Sequence, residues 1–232
     1  MTQKTWMIAG IMIVVGIAAA GMLLPKKNPA VVETETAGVP VKAVGELYEQ
    51  ASTLRQKGKM LEAKQVYKQI SLEYPDYERI ELVQTELEDL NMRIIFSNAP
   101  APQSVMHVVQ IGDTLGKLAK KYGTTVELIR TSNNLKDDAI RVGQKLRVWT
   151  GKFNVLVDKS QNVLLLKDGD EVIKVYKVST GKDNSTPVGT FKITSKLVDP
   201  VWFNRGAVVP PDSPQNVLGS RWLGFDIPGY GI

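Results

Sequence analysis

The sequence predicts a multidomain chain of mixed class, in which a transmembrane helix, an α-helical hairpin, a βααβ module and a mostly β segment follow one another. Three observations predict it. An uncharged apolar run fills Trp6 to Leu24, a helical apolar period fills residues 43–95, and from Phe153 onward short apolar runs alternate between clusters of turn residues. Two stretches without period, 25–42 and 96–104, read as linkers between these parts.

Composition bounds the chemistry. The 232 residues carry a net charge of +5, a mild attraction to anionic polymers rather than the basic stripe of a nucleic-acid binder. A cell wall suits that charge, and no nucleic-acid partner is expected. With no cysteine and one histidine, His107, the chain has no disulfide, no thiol nucleophile and no cysteine- or histidine-cluster metal site. No metal and no cofactor is expected.

Trp6 to Leu24 carries no charge and is close to the roughly 20 apolar residues that a helix needs to cross a bilayer. Residues 1–24 are therefore expected to be a transmembrane anchor or a signal. The run outlasts the usual signal core of about 7 to 15 residues, which favours the anchor. The alternative is a cleaved signal, because Ala18 to Ala20 before Gly21 offer a small-residue cleavage site. Lys4 and the amino terminus precede the run and Lys26 and Lys27 follow it, so flanking charge sets no orientation. Pro25 ends the helix, and 25–42 is a tether.

Helical spacing then places Leu47, Ala51 and Leu54 on one face, breaks at Gly58-Lys59, and resumes with Ala63, Val66, Tyr67 and Ile70. Small residues at Ala51 and Ala63 allow two helices to approach, Tyr67 fills the space between them, and Pro75 marks the exit. The spacing of Ala51, Gly58, Ala63, Tyr67 and Pro75 resembles one tetratricopeptide repeat, so 43–95 is a TPR-like region with Tyr77 to Ile95 as a capping third helix. One repeat does not close a solenoid core, which favours a spacer or self-association platform over a specific groove. Its protein partner is unknown. The proline-bearing linker 96–104 should let its two sides move independently.

Residues 105–150 read strand, helix, helix, strand. Val108 is expected to pair with Leu146 and Val148, and Gly112-Asp113-Thr114 is a turn in which Asp113 or Thr114 caps the next helix. The set Gly-Asp-Thr-Leu at 112–115, Asn133-Asn134-Leu135 and Gly143-Gln144-Lys145-Leu146 resembles a LysM domain. That resemblance implies binding of N-acetylglucosamine-containing glycans, peptidoglycan or chitin, in a shallow groove between two loops. Carried over by position, the groove uses Gly112, Asp113, Thr114 and Leu115 on one side and Leu135 and Ile140 on the other. The same residues also have structural readings, as a helix cap and as core. His107 reads as a partly exposed strand residue with no carboxylate partner in the local motif.

From Phe153 the strands 153–157, 163–166 and 172–178 are joined by turns at 158–162 and 167–170. Thr180-Gly-Lys182, Thr186-Pro-Val-Gly-Thr-Phe191 and Ile227-Pro-Gly-Tyr-Gly-Ile232 follow. This text resembles the front part of an L,D-transpeptidase (YkuD-type) catalytic domain, so 153–232 is read as an incomplete domain of that family. Family members continue into a His-Gly-Thr segment and a Ser-x-Gly-Cys nucleophile motif, and neither is in these 232 residues. The resemblance implies acyl transfer: a cysteine thiolate attacks a stem tetrapeptide, D-alanine leaves, and the amine of a neighbouring stem resolves the acyl-enzyme. Catalytic residues are absent from the chain as given. Trp202, Trp222 and Tyr230 are candidates for a substrate groove, with core packing the other reading, while Lys182 and Arg221 read as rim charges.

The sequence thus predicts a membrane-tethered, wall-facing protein, secreted if its first segment is cleaved, whose partners are peptidoglycan glycan strands and stem peptides. In full-length form it would cross-link stem peptides. The alternative is a non-catalytic wall-binding protein with a remnant transpeptidase domain.

Overall fold

A computed structural model describes residues 12–16, 41–204 and 206–232. Its elements in chain order are β1 (Met12–Gly16), α1 (Val41–Gln56), α2 (Met60–Glu73), α3 (Ile80–Phe96), β2 (Ser104–Val108), α4 (Leu115–Tyr122), α5 (Val126–Ser132) and β3 (Lys145–Trp149). Seven strands follow: β4 (Phe153–Asp158), β5 (Val163–Asp168), β6 (Glu171–Lys177), β7 (Gly189–Val198), β8 (Trp202–Asn204), β9 (Ala207–Val209) and β10 (Arg221–Phe225). Two compact units partition the chain. One joins the helical region up to Asp113 with Glu127–Trp149; the other joins β1, Thr114–Val126 and Thr150–Ile232. The second unit takes in α4, where Lys152 Nζ donates to the Gly123 carbonyl at 3.1 Å.

Most of the expected transmembrane segment and of the 25–42 tether lies outside the described residues. Where the segment is described, it departs from the expected helix, because Met12–Gly16 is a strand. Ile13, Val14 and Val15 are branched at Cβ, which suits a pleated strand better than a helix. The strand lies between β4, which it pairs in parallel, and β7, which it pairs antiparallel, so both neighbours have their backbone groups satisfied. Among the described residues no helix is long and apolar enough to cross a membrane.

In the helical region, Gly58 and Lys59 turn the chain as expected, with Gly58 and Lys59 amides donating to the Arg55 and Leu54 carbonyls. Ala51 and Ala63 are fully buried, so α1 and α2 approach closely. Tyr67 is buried beside them and meets Tyr48 edge to face at 5.8 Å between ring centroids. The third helix is more than a cap: Val83 and Leu90 are fully buried in the same core as Ala51, Tyr67 and Ile70. Each such side chain contributes about 1.5–3 kcal/mol by leaving water, so α3 belongs to the fold of this region.

The linker 96–104 also differs from expectation. Arg147, fully buried on β3, donates from Nη1 to the carbonyls of Ile95 and Ser97, both at 2.7 Å. These carbonyls end α3, where the helix leaves acceptors without partners and its dipole favours a cation. The guanidinium lies 4.8 Å from the Trp149 ring centroid, and Trp149 is itself buried. Ser104 Oγ and the Ala101 backbone close the turn between. Prolines made the segment look like a spacer, but the buried arginine ties its two ends, so they do not move independently.

The strand pair β2–β3 is antiparallel, with His107 opposite Leu146 and Val105 opposite Val148. Val108 faces Lys145 instead and is 48% exposed, so the inward phase is carried by His107 and Val109.

The large sheet has strand order β10-β7-β1-β4-β5-β6. Val155, Val157, Leu164 and Ile193 form its buried core, with Leu166, Val178, Phe191, Leu223 and Phe225 packed against them. Phe191 and Phe225 stack at 5.5 Å between centroids. Asp158 closes the β4–β5 turn by accepting from the Ser160 hydroxyl and from the Ser160 and Gln161 amides.

Candidate functional site

Two places gather the residues that the sequence singles out. The first is the turn after β2. Gln110 and Asp113 close it, since the Asp113 amide donates to the Gln110 carbonyl at 3.1 Å and the Gln110 amide donates to Asp113 Oδ2 at 2.8 Å. Gly112 supplies the positive φ of 84° that this reversal requires, and it is exposed. Thr114, not Asp113, caps α4: its Oγ1 accepts from the Lys117 amide at 3.2 Å. Leu115 is 2% exposed and so is packed inside.

The second loop, before β3, is brought to the first by the backbone. The Val109 amide donates to the Gln144 carbonyl at 2.9 Å and the Gly143 amide donates to the Val109 carbonyl at 2.8 Å. Leu135 and Ile140 on this loop are half-buried. Asn133 anchors its start, because its Nδ2 donates to the Ile129 and Arg147 carbonyls and its Oδ1 accepts from the Arg147 amide. Ile111 at the tip of the first turn is 91% exposed and Val142 on the second loop 67% exposed, so apolar surface flanks the paired loops.

His107 corrects the sequence reading. It is buried, at 7% exposure, and its Nε2 lies 2.8 Å from Asp113 Oδ2. The carboxylate partner stands six residues along the chain, brought back by the turn. Strand parity carried the missing signal: His107 is in phase with Val109, so it had to point inward, where an imidazole needs a polar partner.

The second place is a cleft of about 310 Å³ at the large sheet. Val157, Leu164, Trp222 and Phe225 give it apolar wall, and Ser179, Thr180, Ser185, Thr186 and Tyr230 give it hydroxyls. The Gly181 amide donates to Thr186 Oγ1 at 2.6 Å, which ties the 179–181 rim to the Thr186-Pro187 turn. Tyr230 is placed by the turn Ile227-Pro228-Gly229-Tyr230, in which proline stands second and Gly229 third with φ 82°. The Tyr230–Ile232 segment then folds back on β10: Leu223 and Ile232 exchange backbone hydrogen bonds, and the Phe225 amide donates to the Tyr230 carbonyl at 2.9 Å. A Cβ at Gly231 would fall 2.6 Å from both the Leu223 carbonyl oxygen and the Trp222 ring, so only glycine fits there.

Of the three aromatic candidates, Trp222 and Tyr230 line this cleft. Trp202 stands opposite Val209 in the β8–β9 hairpin and is not among the lining residues. Phe225 lines the cleft without having been singled out, and Gly231 lines it from within the Ile227–Ile232 motif. Lys182 is exposed, and Arg221 donates to the Ser220 carbonyl and lies 4.0 Å from Asp199. The lining side chains are apolar or hydroxyl-bearing, set among glycines. Among the described residues no group of three or more His, Cys, Asp or Glu side chains gathers to hold a metal ion.

Comparison with known proteins matches two stretches of the chain. Residues 107–149 match the LysM domain family, and residues 152–231 match the L,D-transpeptidase catalytic domain family. The chain is similar to the Bacillus subtilis (strain 168) protein named Putative L,D-transpeptidase YqjB, with 40% identity over 84 residues. That match covers 34% of this chain and 47% of the relative. It is also similar to the Probable peptidoglycan endopeptidase LytE of the same strain, 35% identical over 86 residues, covering 36% of this chain and 25% of the relative. The Cell wall-binding protein YocH of that strain is 36% identical over 56 residues, covering 24% of this chain and 20% of the relative. The chain thus spans less than half the length of each of these relatives.

Proposed function

We propose, for a chain that carries a LysM domain and an L,D-transpeptidase catalytic-domain region, that it works at the cell wall by holding peptidoglycan glycan strands and receiving stem peptides. The observation that carries this reading is the pairing of an exposed, backbone-rich double loop with a hydroxyl-lined cleft. An N-acetyl sugar offers an amide to pair with loop backbone and apolar ring faces to cover Ile111 and Val142. A stem peptide offers amides to Ser179, Thr180 and Thr186 and a methyl-rich chain to Trp222. On this reading both places work on the wall side of the membrane.

Cysteine acyl transfer belongs to a form of the protein that adds a thiol and a histidine to the cleft. There the thiolate attacks the carbonyl carbon next to D-alanine, the C–N bond breaks, D-alanine leaves with a proton on its amine, and a thioester forms. The amine of a second stem then displaces the thiol and closes the cross-link. These 232 residues hold no thiol to carry that step, and the second reading is a wall-binding protein without catalysis. Co-sedimentation tests the common part: the chain should travel with insoluble peptidoglycan and resist washing, and recovery in the supernatant overturns the proposal. Mixed with stem peptides or a carbapenem, the same chain should give neither cross-links nor a covalent adduct. An adduct would show a nucleophile other than cysteine. Coding sequence beyond Ile232 that reads His-Gly and then Ser-x-Gly-Cys would separate the enzyme from the non-catalytic binder.

A further inference from the structure

We infer that His107 is a positioning residue for the glycan-binding turn, acting through Asp113. The inference rests on the reading that the Gln110–Asp113 turn takes part in glycan binding, and it adds what holds that turn in shape. Asp113 Oδ2 is shared by two donors, the Gln110 amide at 2.8 Å and His107 Nε2 at 2.8 Å. An ionised carboxylate only accepts, so Nε2 must carry the proton in this contact. One donor comes from the turn itself and the other from the floor beneath it.

The two donors differ in what they can do. The Gln110 bond is local and lets the turn and carboxylate move together. His107 is 7% exposed and stands opposite Leu146, which is fully buried, so its ring is fixed by packing. It therefore ties the carboxylate to the β2–β3 pair. Once Asp113 is held, the peptide units at Ile111 and Gly112 have one orientation, with Gly112 at φ 84° and Ile111 exposed. Binding a sugar amide through backbone groups requires that orientation beforehand, because a turn that must be ordered on binding loses affinity by the entropy of ordering it. The histidine touches no sugar; it presets the surface that does.

The test compares His107→Leu, which keeps an apolar side chain inside but removes the donor, with His107→Gln, which restores a donor. Three quantities are read on the full chain: retention on insoluble peptidoglycan, melting temperature, and hydrogen exchange of the Gln110 amide. The expected result is a loss of affinity of about tenfold for H107L, in keeping with a charge-assisted hydrogen bond. Gln110 exchange should be faster in that variant, and H107Q should bind within threefold of the parent. Unchanged binding by H107L overturns the proposal. So does equal loss in H107L and H107Q that follows melting temperature, since that is mere packing. If H107L does not fold, His107→Phe keeps a ring inside without the donor and leaves the Asp113 acceptor in place, and a Gln110 amide that exchanges as slowly as in the parent overturns the proposal. A parent chain that fails to bind peptidoglycan sinks the glycan reading instead. Gln110 exchange in H107L still decides the positioning role, because it is measured without glycan.

Discussion

Asp89 shows how single side chains set the stability of the helical region. Burial pushes its carboxyl up, but hydrogen bonds from Arg93 Nε at 2.7 Å and Arg55 Nη2 at 2.6 Å outweigh that and hold it below the usual carboxylate range. A depressed folded-state value means that the stabilisation is present above the unfolded value of about 4 and is lost as pH falls through the lower folded one. Asp89→Asn should therefore lower the melting temperature at pH 7 and close the gap to the parent as pH falls through the depressed folded-state value; a gap that persists in acid would show a loss of packing instead. The partners are partly exposed, so the effect is small and salt should reduce it. Arg55 and Asp89 are 34 residues apart in the chain, and no local pattern announced their pairing. His107 and Asp113 were close enough to be read, and strand parity was the rule that would have paired them.

At the scale of elements, legibility followed the range of the forces. The helix break at Gly58-Lys59, the small pair Ala51 and Ala63, and the turns at 158–162 and 167–170 are local chemistry, and the structure has them. The Ile227–Tyr230 turn is of the same kind, and it aims Tyr230 into the cleft. Gly229→Ala would put a side chain at φ 82°, with an expected loss of about 1 kcal/mol in denaturant unfolding. A loss below a few tenths would mean that the turn relaxes without strain. Parity of β2 was misread because Val108 looks more apolar than His107; burial follows the pleat, not hydropathy. The strand at Met12–Gly16 was illegible for a different reason: an apolar β-branched run serves a bilayer or the middle of a sheet, and only the presence of β4 and β7 with free edges decides.

For the whole molecule, the module boundaries were read more cleanly than the protein draws them. Leu146-Arg147-Val148 reads as an alternating strand with a polar face, yet Arg147 is fully buried. What covers that face is the end of α3, 52 residues earlier. Cutting the chain to 105–150 would expose Trp149, now 3% exposed, and strand Arg147 without its carbonyls. Such a fragment should bind more hydrophobic dye and elute as larger species than residues 43–150 do; a monodisperse short fragment that binds no dye would show that the face tolerates water.

The same contact gives the molecule an order of assembly. A ribosome finishes α3 and emits some fifty further residues before the arginine exists, so the last turn of that helix leaves the exit tunnel with its carbonyls still facing water. Early on, the helices can gather around Tyr67 alone; their final turn stays frayed until β3 docks against it, making closure of that joint a late event in the folding of this half of the chain.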